Sequence, residues 1–272
     1  MENDKSYSKY LVIFIDILGS QNRDDFEKAY KINSIFHEEL EKNNKNDLPH
    51  TVYFRKIYTF SDCSYIFYGF KENVPEEKRD EGKLFTTALC NCEPIFLRFI
   101  KEKIMFRGGI SYGDAYVDPS KSMFFGKAVN RAYQLESNVA IHPRIVVDNY
   151  VAEELLRNVS FQMNQAIEKN NTCEIPLSEM IPLFGHGLVE QDVDNKFIFN
   201  YLHMPQFNLL YNNCYSSGEE FIKEFINFCE EQIEENTEYK IIDKYFYALR
   251  FALDKLPPSC KEEIISILGY RI

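Results

Sequence analysis

The sequence predicts an α+β sandwich, in which helices pack on an antiparallel or mixed sheet, followed by a helical extension. Two observations predict this architecture. Short apolar runs of strand length and longer amphipathic runs follow one another in the order β-α-β-β-α-β, and after Pro205 the pattern changes to amphipathic helices. The 272 residues include 23 Phe and 18 Tyr, which is enough for a sizeable core.

The first half of the chain supplies a strand, a helix and a hairpin. Residues 10–17 are apolar, β-branched and uninterrupted, which is typical of a strand that is buried on both faces. Residues 23–42 carry large apolar side chains near helical spacing. Residues 52–60 and 63–70 are two strand-like runs joined by a very short turn, which indicates a hairpin.

A second helix and strand follow the hairpin. Residues 84–101 are predicted to be helical, and Pro94 allows a kink. Residues 104–112 are predicted as a strand that contains Gly108 and Gly109. Because glycines inside a strand often mark the close approach of another group, we expect something to pack tightly there.

The remaining elements are shorter, apart from the C-terminal helices. We expect helices over residues 126–137 and 150–157, strands over 145–147 and 197–202, a partner strand over 115–117, and a helix near 239–255. Ser217 and Glu220 resemble a capping box at the start of another helix.

Composition argues against two classes of function. The formal net charge of −11 argues against broad binding of nucleic acid, which needs a basic surface, although it allows a single nucleotide. No stretch of the sequence has the pattern of a signal peptide or of a membrane-spanning segment. We therefore expect a cytoplasmic protein with no membrane partner. The seven cysteines, an odd number, favour reduced thiols.

Two aspartates stand out because each lies among apolar strand residues. Asp16 lies in the run Phe-Ile-Asp-Ile-Leu-Gly of residues 14–19, and Asp62 in the run Phe-Ser-Asp-Cys-Ser of residues 60–64. A buried carboxylate is costly unless it is paired or binds a metal. Either aspartate alone is more often an ordinary turn residue. Together they indicate two arms of one divalent-cation site, which is the usual device for handling a nucleoside triphosphate.

A third segment completes a recognisable pattern. Residues 107–113 read Arg-Gly-Gly-Ile-Ser-Tyr-Gly, and residues 126–137 read Gly-Lys-Ala-Val-Asn-Arg-Ala-Tyr-Gln-Leu-Glu-Ser. With these blocks in this order, the chain resembles the class III nucleotidyl cyclases, the catalytic domain of adenylate and guanylate cyclases. The resemblance implies a class III cyclase-like, ferredoxin-like βαββαβ sandwich. It places a catalytic domain over residues 1–204 and a helical extension over 205–272.

The resemblance also implies how the first two blocks act. Two Mg²⁺ or Mn²⁺ ions would bridge Asp16 and Asp62, with the carbonyl of Ile17 as a further ligand. Backbone N–H groups of Leu18 and Gly19 would hold phosphate oxygens of the substrate.

Other residues are assigned to the substrate by the same resemblance. Phe14, in the first metal motif, is placed among the substrate-binding residues, and Asn130 would orient the ribose. In adenylate cyclases a lysine and an aspartate read the adenine, and here Tyr58 and Met123 stand in their places. A tyrosine narrows the base pocket and offers one hydroxyl, which favours a pyrimidine. Tyr58 and the Ala-Tyr-Gln-Leu-Glu helix resemble the pyrimidine cyclases of bacterial Pycsar anti-phage systems.

One further departure concerns the arginine that stabilises the transition state in the family. That arginine lies four residues after the helix asparagine, and here Gln134 occupies its place. Arg107 or Arg131 would then supply the positive charge.

Together, these features imply a cyclase that converts UTP or CTP to 3′,5′-cyclic UMP or CMP and pyrophosphate. It would act as a head-to-tail homodimer, with Asp16 and Asp62 from one subunit and Asn130 from the other. The product would activate a separate cyclic-nucleotide effector in anti-phage defence. The alternative is a catalytically degenerate cyclase-like module that senses a nucleotide. The choice between uracil and cytosine stays open.

Overall fold

A computed structural model of the chain describes residues 6–19, 26–45, 51–118, 120–169, 185–203, 217–258 and 260–261. Within these ranges the strands are β1 (Ser8–Ile17), β2 (Tyr53–Phe60), β3 (Cys63–Phe70), β4 (Phe106–Asp118), β5 (Met123–Gly126), β6 (Ile145–Val147), β7 (Val189–Gln191) and β8 (Phe197–Phe199). The helices are α1 (Phe26–Lys45), α2 (Glu81–Lys101), α3 (Lys127–Asn138), α4 (Asn149–Lys169), α5 (Gly218–Glu235) and α6 (Tyr239–Asp254).

The strands form one mixed sheet in the order β2-β3-β1-β4-β6-β8-β7, with β5 paired to β4. Strand β1 lies antiparallel between β3 and β4, whereas β4 and β6 are parallel. The order β2-β3-β1-β4, with α1 and α2 as the two connecting helices, is that of a ferredoxin-like βαββαβ unit. The predicted α+β sandwich is therefore confirmed.

Helices cover both faces of the sheet, which explains the unbroken apolar run of β1. The side chains of β1 alternate between two cores. Ile13 and Ile15 belong to the main core with α1 and α2, whereas Val12 and Phe14 belong to a second core with α3. All four are at most 5% exposed. Because side chains alternate along a strand, Asp16 follows Phe14 onto the face that α3 covers.

Gly109 allows α3 to lie directly against β4. A Cβ atom at Gly109 would lie 2.1 Å from the carbonyl oxygen of Ala132. Two residues further along β4, the hydroxyl of Ser111 donates a hydrogen bond of 2.6 Å to the carbonyl of Ala128. These contacts fix the height of α3 above the sheet, and therefore the position of every side chain that α3 directs towards β1.

The structure differs from the predicted elements in several places. Strand β4 runs to Asp118, because it continues as one arm of a hairpin whose other arm, β5, was not predicted. Residues 115–117, expected as a partner strand, belong to β4 itself. Helix α4 continues to Lys169, and β8 ends at Phe199, where Asn200 begins a turn by accepting a hydrogen bond from the N–H of Leu202.

Helix α5 begins as the capping pattern predicts. The side chain of Ser217 accepts a hydrogen bond of 3.2 Å from the N–H of Glu220 at the start of α5. Helices α5 and α6 bury Phe225 and Ala252 in the same core that α2 lines. The predicted boundary between residues 204 and 205 lies outside the described residues, so the division into domains stays a prediction. No described helix has the length and apolarity needed to cross a lipid bilayer.

Candidate functional site

Asp16 and Asp62 meet at one end of the sheet. Asp16 lies near the end of β1, where its cross-strand neighbours are Cys63 on β3 and Arg107 on β4. Asp62 lies in the turn between β2 and β3, and its carbonyl accepts a hydrogen bond of 3.0 Å from the N–H of Ile17. The hairpin turn is thus tied to the end of β1, which brings together two acids that are 46 positions apart in the sequence.

Two further charged residues join them, and we call Asp16, Asp62, Arg107 and Glu136 the acidic cluster. The Nε of Arg107 donates a hydrogen bond of 3.2 Å to Oδ2 of Asp16. The same nitrogen lies 2.6 Å from Oε1 of Glu136, which projects from the buried face of α3. The Glu136 side chain is only 3% exposed. One guanidinium therefore faces two carboxylates across the gap between β4 and α3.

Burial and the charges of nearby acids make Asp16 and Glu136 harder to ionise. Burial raises the pKa of Asp16, and the charge of Asp62 adds to that rise, while Arg107 opposes it. Burial also raises the pKa of Glu136 to about 7, against the opposing effect of Arg107 and with a smaller contribution from Asp16. The pKa of the neighbouring Cys63 thiol rises to about 11, through burial and then through the charges of Asp62, Asp16 and Glu136.

The cluster fits a divalent cation by the chemistry of its donors. Asp16 and Asp62 offer carboxylate oxygens, the ligands that hard divalent cations prefer. Mg²⁺ is usually held by one or two carboxylates together with substrate phosphates, rather than by an all-protein cage. In keeping with this, no group of three or more His, Cys, Asp or Glu side chains in the described ranges has the arrangement of a metal site by itself. Asp16 and Asp62 are the residues that would hold such an ion.

The backbone groups predicted to hold phosphate differ in their surroundings. The N–H of Leu18 donates a hydrogen bond of 2.9 Å to the carbonyl of Met105, so it is already used in the sheet. Gly19 lies in the exposed turn after β1 and has a φ of +74°, a conformation that glycine adopts without strain. Gly19 is therefore the better placed of the two to approach a phosphate.

The predicted residues of α3 lie on its exposed face, away from the acidic cluster of the same chain. Asn130 and Gln134 are exposed and lie one turn apart. The Nε of Arg131 donates a hydrogen bond of 2.7 Å to Asp148. Arg107, in contrast, lies inside the cluster. Of the two arginines considered as replacements for the family's arginine, Arg107 is the one next to Asp16.

Tyr58 lies in an aromatic group on the α3 face of the sheet. Its ring centroid is 4.8 Å from that of Phe124 on β5 and 5.7 Å from that of Phe67 on β3. The side chain is 8% exposed, and its hydroxyl has no hydrogen-bond partner among the described residues. Burial, with a smaller effect of Asp118, raises the pKa of this hydroxyl to about 12, so it remains a hydrogen-bond donor.

The other two substrate-binding candidates differ in exposure. Met123, next to Phe124 on β5, is exposed. Phe14 is buried, with its ring centroid 4.5 Å from that of Tyr65 and 5.7 Å from that of Tyr133 on α3. Phe14 therefore reaches a substrate only through the aromatic side chains packed on it.

Glu136 was not among the site residues that the sequence predicts. The signal was available in the periodicity of α3, because Ala132 and Leu135 define a buried face and Glu136 falls on it. A charged residue at a buried helix position requires a partner on the facing strand, and Arg107 is that partner.

Comparisons with known proteins give likenesses in structure only. A scan against protein-family models gives no match, and neither does a search of curated proteins. One similar solved structure is the catalytic core of a rhodopsin-guanylyl cyclase with converted specificity, in complex with ATPαS. It has a TM-score of 0.42 and 20% identity, over 57% of this chain and 84% of that chain. Another is the monomeric guanylyl cyclase domain of the RhoGC fusion protein from the aquatic fungus Blastocladiella emersonii. It has a TM-score of 0.41 and 19% identity, over 57% of this chain and 88% of that one. Neither likeness identifies the activity of this chain.

Proposed function

We propose that the chain is a pyrimidine nucleotide cyclase that converts UTP or CTP to 3′,5′-cyclic UMP or CMP and pyrophosphate. The observation that carries this proposal is the convergence of Asp16 and Asp62 at one end of the sheet, beside Arg107. The proposal includes a role of the product in anti-phage defence through a separate effector, which rests on the sequence resemblance alone.

Two Mg²⁺ or Mn²⁺ ions, held by Asp16, Asp62 and the Ile17 carbonyl, would acidify the ribose 3′-hydroxyl and neutralise charge on the departing pyrophosphate. Asn130 orients the ribose so that the 3′-oxygen faces the α-phosphorus in line with the leaving group. The 3′-oxygen gives its proton to solvent and bonds to the α-phosphorus, while the bond from that phosphorus to the α,β-bridging oxygen breaks and pyrophosphate leaves. Gly19 offers a backbone approach to the phosphates, and Arg107 places a positive charge beside Asp16.

The arrangement of α3 supports a homodimer. Glu136 is on the buried face and reaches Arg107, whereas Asn130 and Gln134 are on the exposed face of the same helix. A single side chain cannot reach around its own helix, so Asn130 acts on the nucleotide held by the Asp16 and Asp62 of a second copy. Two such sites form in a head-to-tail pair.

Tyr58 supports the choice of a one-ring base. The aromatic rings of Phe67 and Phe124 pack against its ring. Its hydroxyl is a hydrogen-bond donor with no acceptor among the described residues. Uracil and cytosine both present the carbonyl oxygen at C2 as that acceptor. This shared group leaves the choice between UTP and CTP open.

The test is an incubation of the purified protein with Mn²⁺ and each of the four nucleoside triphosphates, with pyrophosphate and cyclic product measured separately. We expect product from UTP or CTP, and loss of product in D62N. The matched control is D114N, because Asp114 is an exposed acid paired with Lys9 near the opposite end of β1. Product from ATP alone would contradict the role of Tyr58, and product from wild type and D62N alike would contradict the role of the cluster.

A second candidate function is a nucleotide sensor without turnover. The observation that favours it is the absence of a free arginine on the described exposed face of α3, where Gln134 is neutral and Arg131 is bonded to Asp148. A sensor shows an increase in melting temperature with a pyrimidine triphosphate and Mn²⁺, but no pyrophosphate. The cyclase shows both.

A further inference from the structure

The carboxylates of Asp16 and Glu136 both lie beside the guanidinium of Arg107. Its Nε carries one N–H, which is donated to Asp16 at 3.2 Å, while Oε1 of Glu136 lies 2.6 Å from the same nitrogen and has no hydrogen-bond partner among the described residues. The Glu136 side chain is almost fully buried and comes from α3, whereas Asp16 and Arg107 are cross-strand neighbours on the sheet. The position of the guanidinium therefore depends on a helix that the two strand residues do not control.

We propose that Glu136 is a positioning residue that accepts the Arg107 guanidinium when a divalent cation takes Asp16, and so sets how tightly Asp16 and Asp62 bind that cation. This inference rests on the proposed function, because it takes Asp16 and Asp62 as the cation ligands. It adds a residue that contacts neither the cation nor the substrate.

The physical reason is competition for one carboxylate. A guanidinium bonded to Asp16 and a cation bonded to Asp16 use the same oxygen lone pairs, so the cation must displace part of the Arg107 interaction. A second carboxylate that accepts the guanidinium lowers the cost of that displacement. Gly109 makes the arrangement possible, because the absence of a side chain there lets α3 approach β4 closely enough for Glu136 to reach Arg107.

The experiment measures Mn²⁺ affinity directly, by calorimetric titration of the full chain without nucleotide. We expect E136Q to bind Mn²⁺ roughly tenfold more weakly, in the range typical of residues that orient metal ligands. E136D keeps the charge but withdraws the carboxylate from Arg107, and we expect several-fold weaker binding of Mn²⁺.

R107Q/E136Q removes the guanidinium that competes with the cation together with the second carboxylate that accepts it, and we expect an affinity for Mn²⁺ at or above that of the wild type. E153Q, an exposed change on α4, is the matched control, and thermal unfolding verifies that each variant is folded.

Each deviation from this pattern has one meaning. Unchanged affinity in E136Q overturns the inference, and the proposed cation site survives if D16N and D62N still lose Mn²⁺. Wild-type affinity in E136D with weak binding in E136Q shows that net charge matters and position does not, which also overturns it. Weak binding in R107Q/E136Q shows that Glu136 acts directly on the cation and not through Arg107. A wild type that binds no Mn²⁺ overturns both this inference and the cation site of the proposed function.

Discussion

Two charged clusters lie at neighbouring places in the sheet and differ in how burial and hydrogen bonds act on the ionisation of their acids. The acidic cluster has two carboxylates, those of Asp16 and Glu136, against Arg107, with Asp62 in the adjoining turn. The second, which we call the arginine cluster, consists of Arg144, Asp192, Asp194 and Tyr247, where the end of α3 meets β6, β7 and α6. Arg144 donates hydrogen bonds of 2.6 Å to Asp192 and 2.7 Å to Asp194, and the hydroxyl of Tyr247 donates one of 2.6 Å to Asp192.

The pKa values of Asp16 and Glu136 are shifted in the opposite direction to those of Asp192 and Asp194. Burial opposes ionisation of Asp192, but hydrogen bonds from Tyr247, the Val193 N–H and Arg144 outweigh it and lower its pKa. In the acidic cluster the pKa values of Asp16 and Glu136 are raised. A cluster whose acids are satisfied stabilises the fold. A cluster in which burial raises the pKa of its acids costs stability, and perturbed pKa values are typical of a functional site.

The largest expected effect is on catalysis. D16N removes a ligand charge from the acidic cluster, so we expect cyclic product to fall by at least about a hundredfold, because metal ions contribute several kcal/mol to such transition states. D194N makes the same chemical change in the arginine cluster, at a side chain that is 42% exposed, and we expect near-normal rates. Rates from saturating UTP or CTP with Mn²⁺ measure the difference. Equal losses in the two variants would remove the distinction between the clusters.

The second effect is on stability, and it runs the other way. D192N breaks a buried ion pair and leaves Arg144 with an incomplete partner set, so we expect the free energy of unfolding to fall by about 3 kcal/mol. D16N relieves repulsion with Asp62, and we expect no loss of stability from it. Urea unfolding in the presence of a chelator compares the two variants with wild type. A destabilised D16N together with a stable D192N would reverse our assignment of the clusters.

The third effect is a dependence of stability on pH. The pKa of Glu136 is about 7 in the folded chain and near 4.5 when unfolded, so between these values the folded state binds more protons than the unfolded state. The contribution of Glu136 to stability is therefore fully present below about pH 4.5 and is lost as the pH rises to about 7. We expect E136Q to lack this part of the decline, so that its stability relative to wild type is higher at pH 8 than at pH 5. Parallel stability curves for the two proteins would show that Glu136 is ionised in both states.

The smallest effect concerns a thiol beside the acidic cluster. Because burial and the charges of Asp62, Asp16 and Glu136 raise the pKa of Cys63 to about 11, we expect slow alkylation at pH 8. D62N removes one of those charges and should speed the reaction several-fold, measured at the Cys63 peptide by mass spectrometry. Cys260, which is distant in the sequence and lies beside α5, is the internal control. An unchanged Cys63 rate in D62N would show that burial alone sets its reactivity.

The sequence predicts the fold of the molecule better than the side-chain contacts of its candidate site. The apolar run of β1, the hairpin around Asp62 and the tight packing at Gly109 follow from local patterns, because strand burial and turn chemistry act over a few residues. The pairing of β5 with β4 and the contact of Glu136 with Arg107 depend on which strand lies beneath α3. That information is set by packing between elements, so the sequence pattern of either element alone did not give it. The same holds for Arg131, which sequence spacing could not distinguish from Arg107 and which the structure places against Asp148.

The most direct test of the central claim is a crystal structure of the protein with Mn²⁺ and a non-hydrolysable pyrimidine triphosphate, recorded with the anomalous signal of manganese. We expect an anomalous peak between the carboxylates of Asp16 and Asp62, at the roughly 2.0–2.6 Å separations of hard cations from oxygen ligands. A peak elsewhere, with Asp16 still bonded to Arg107 alone, would contradict the claim.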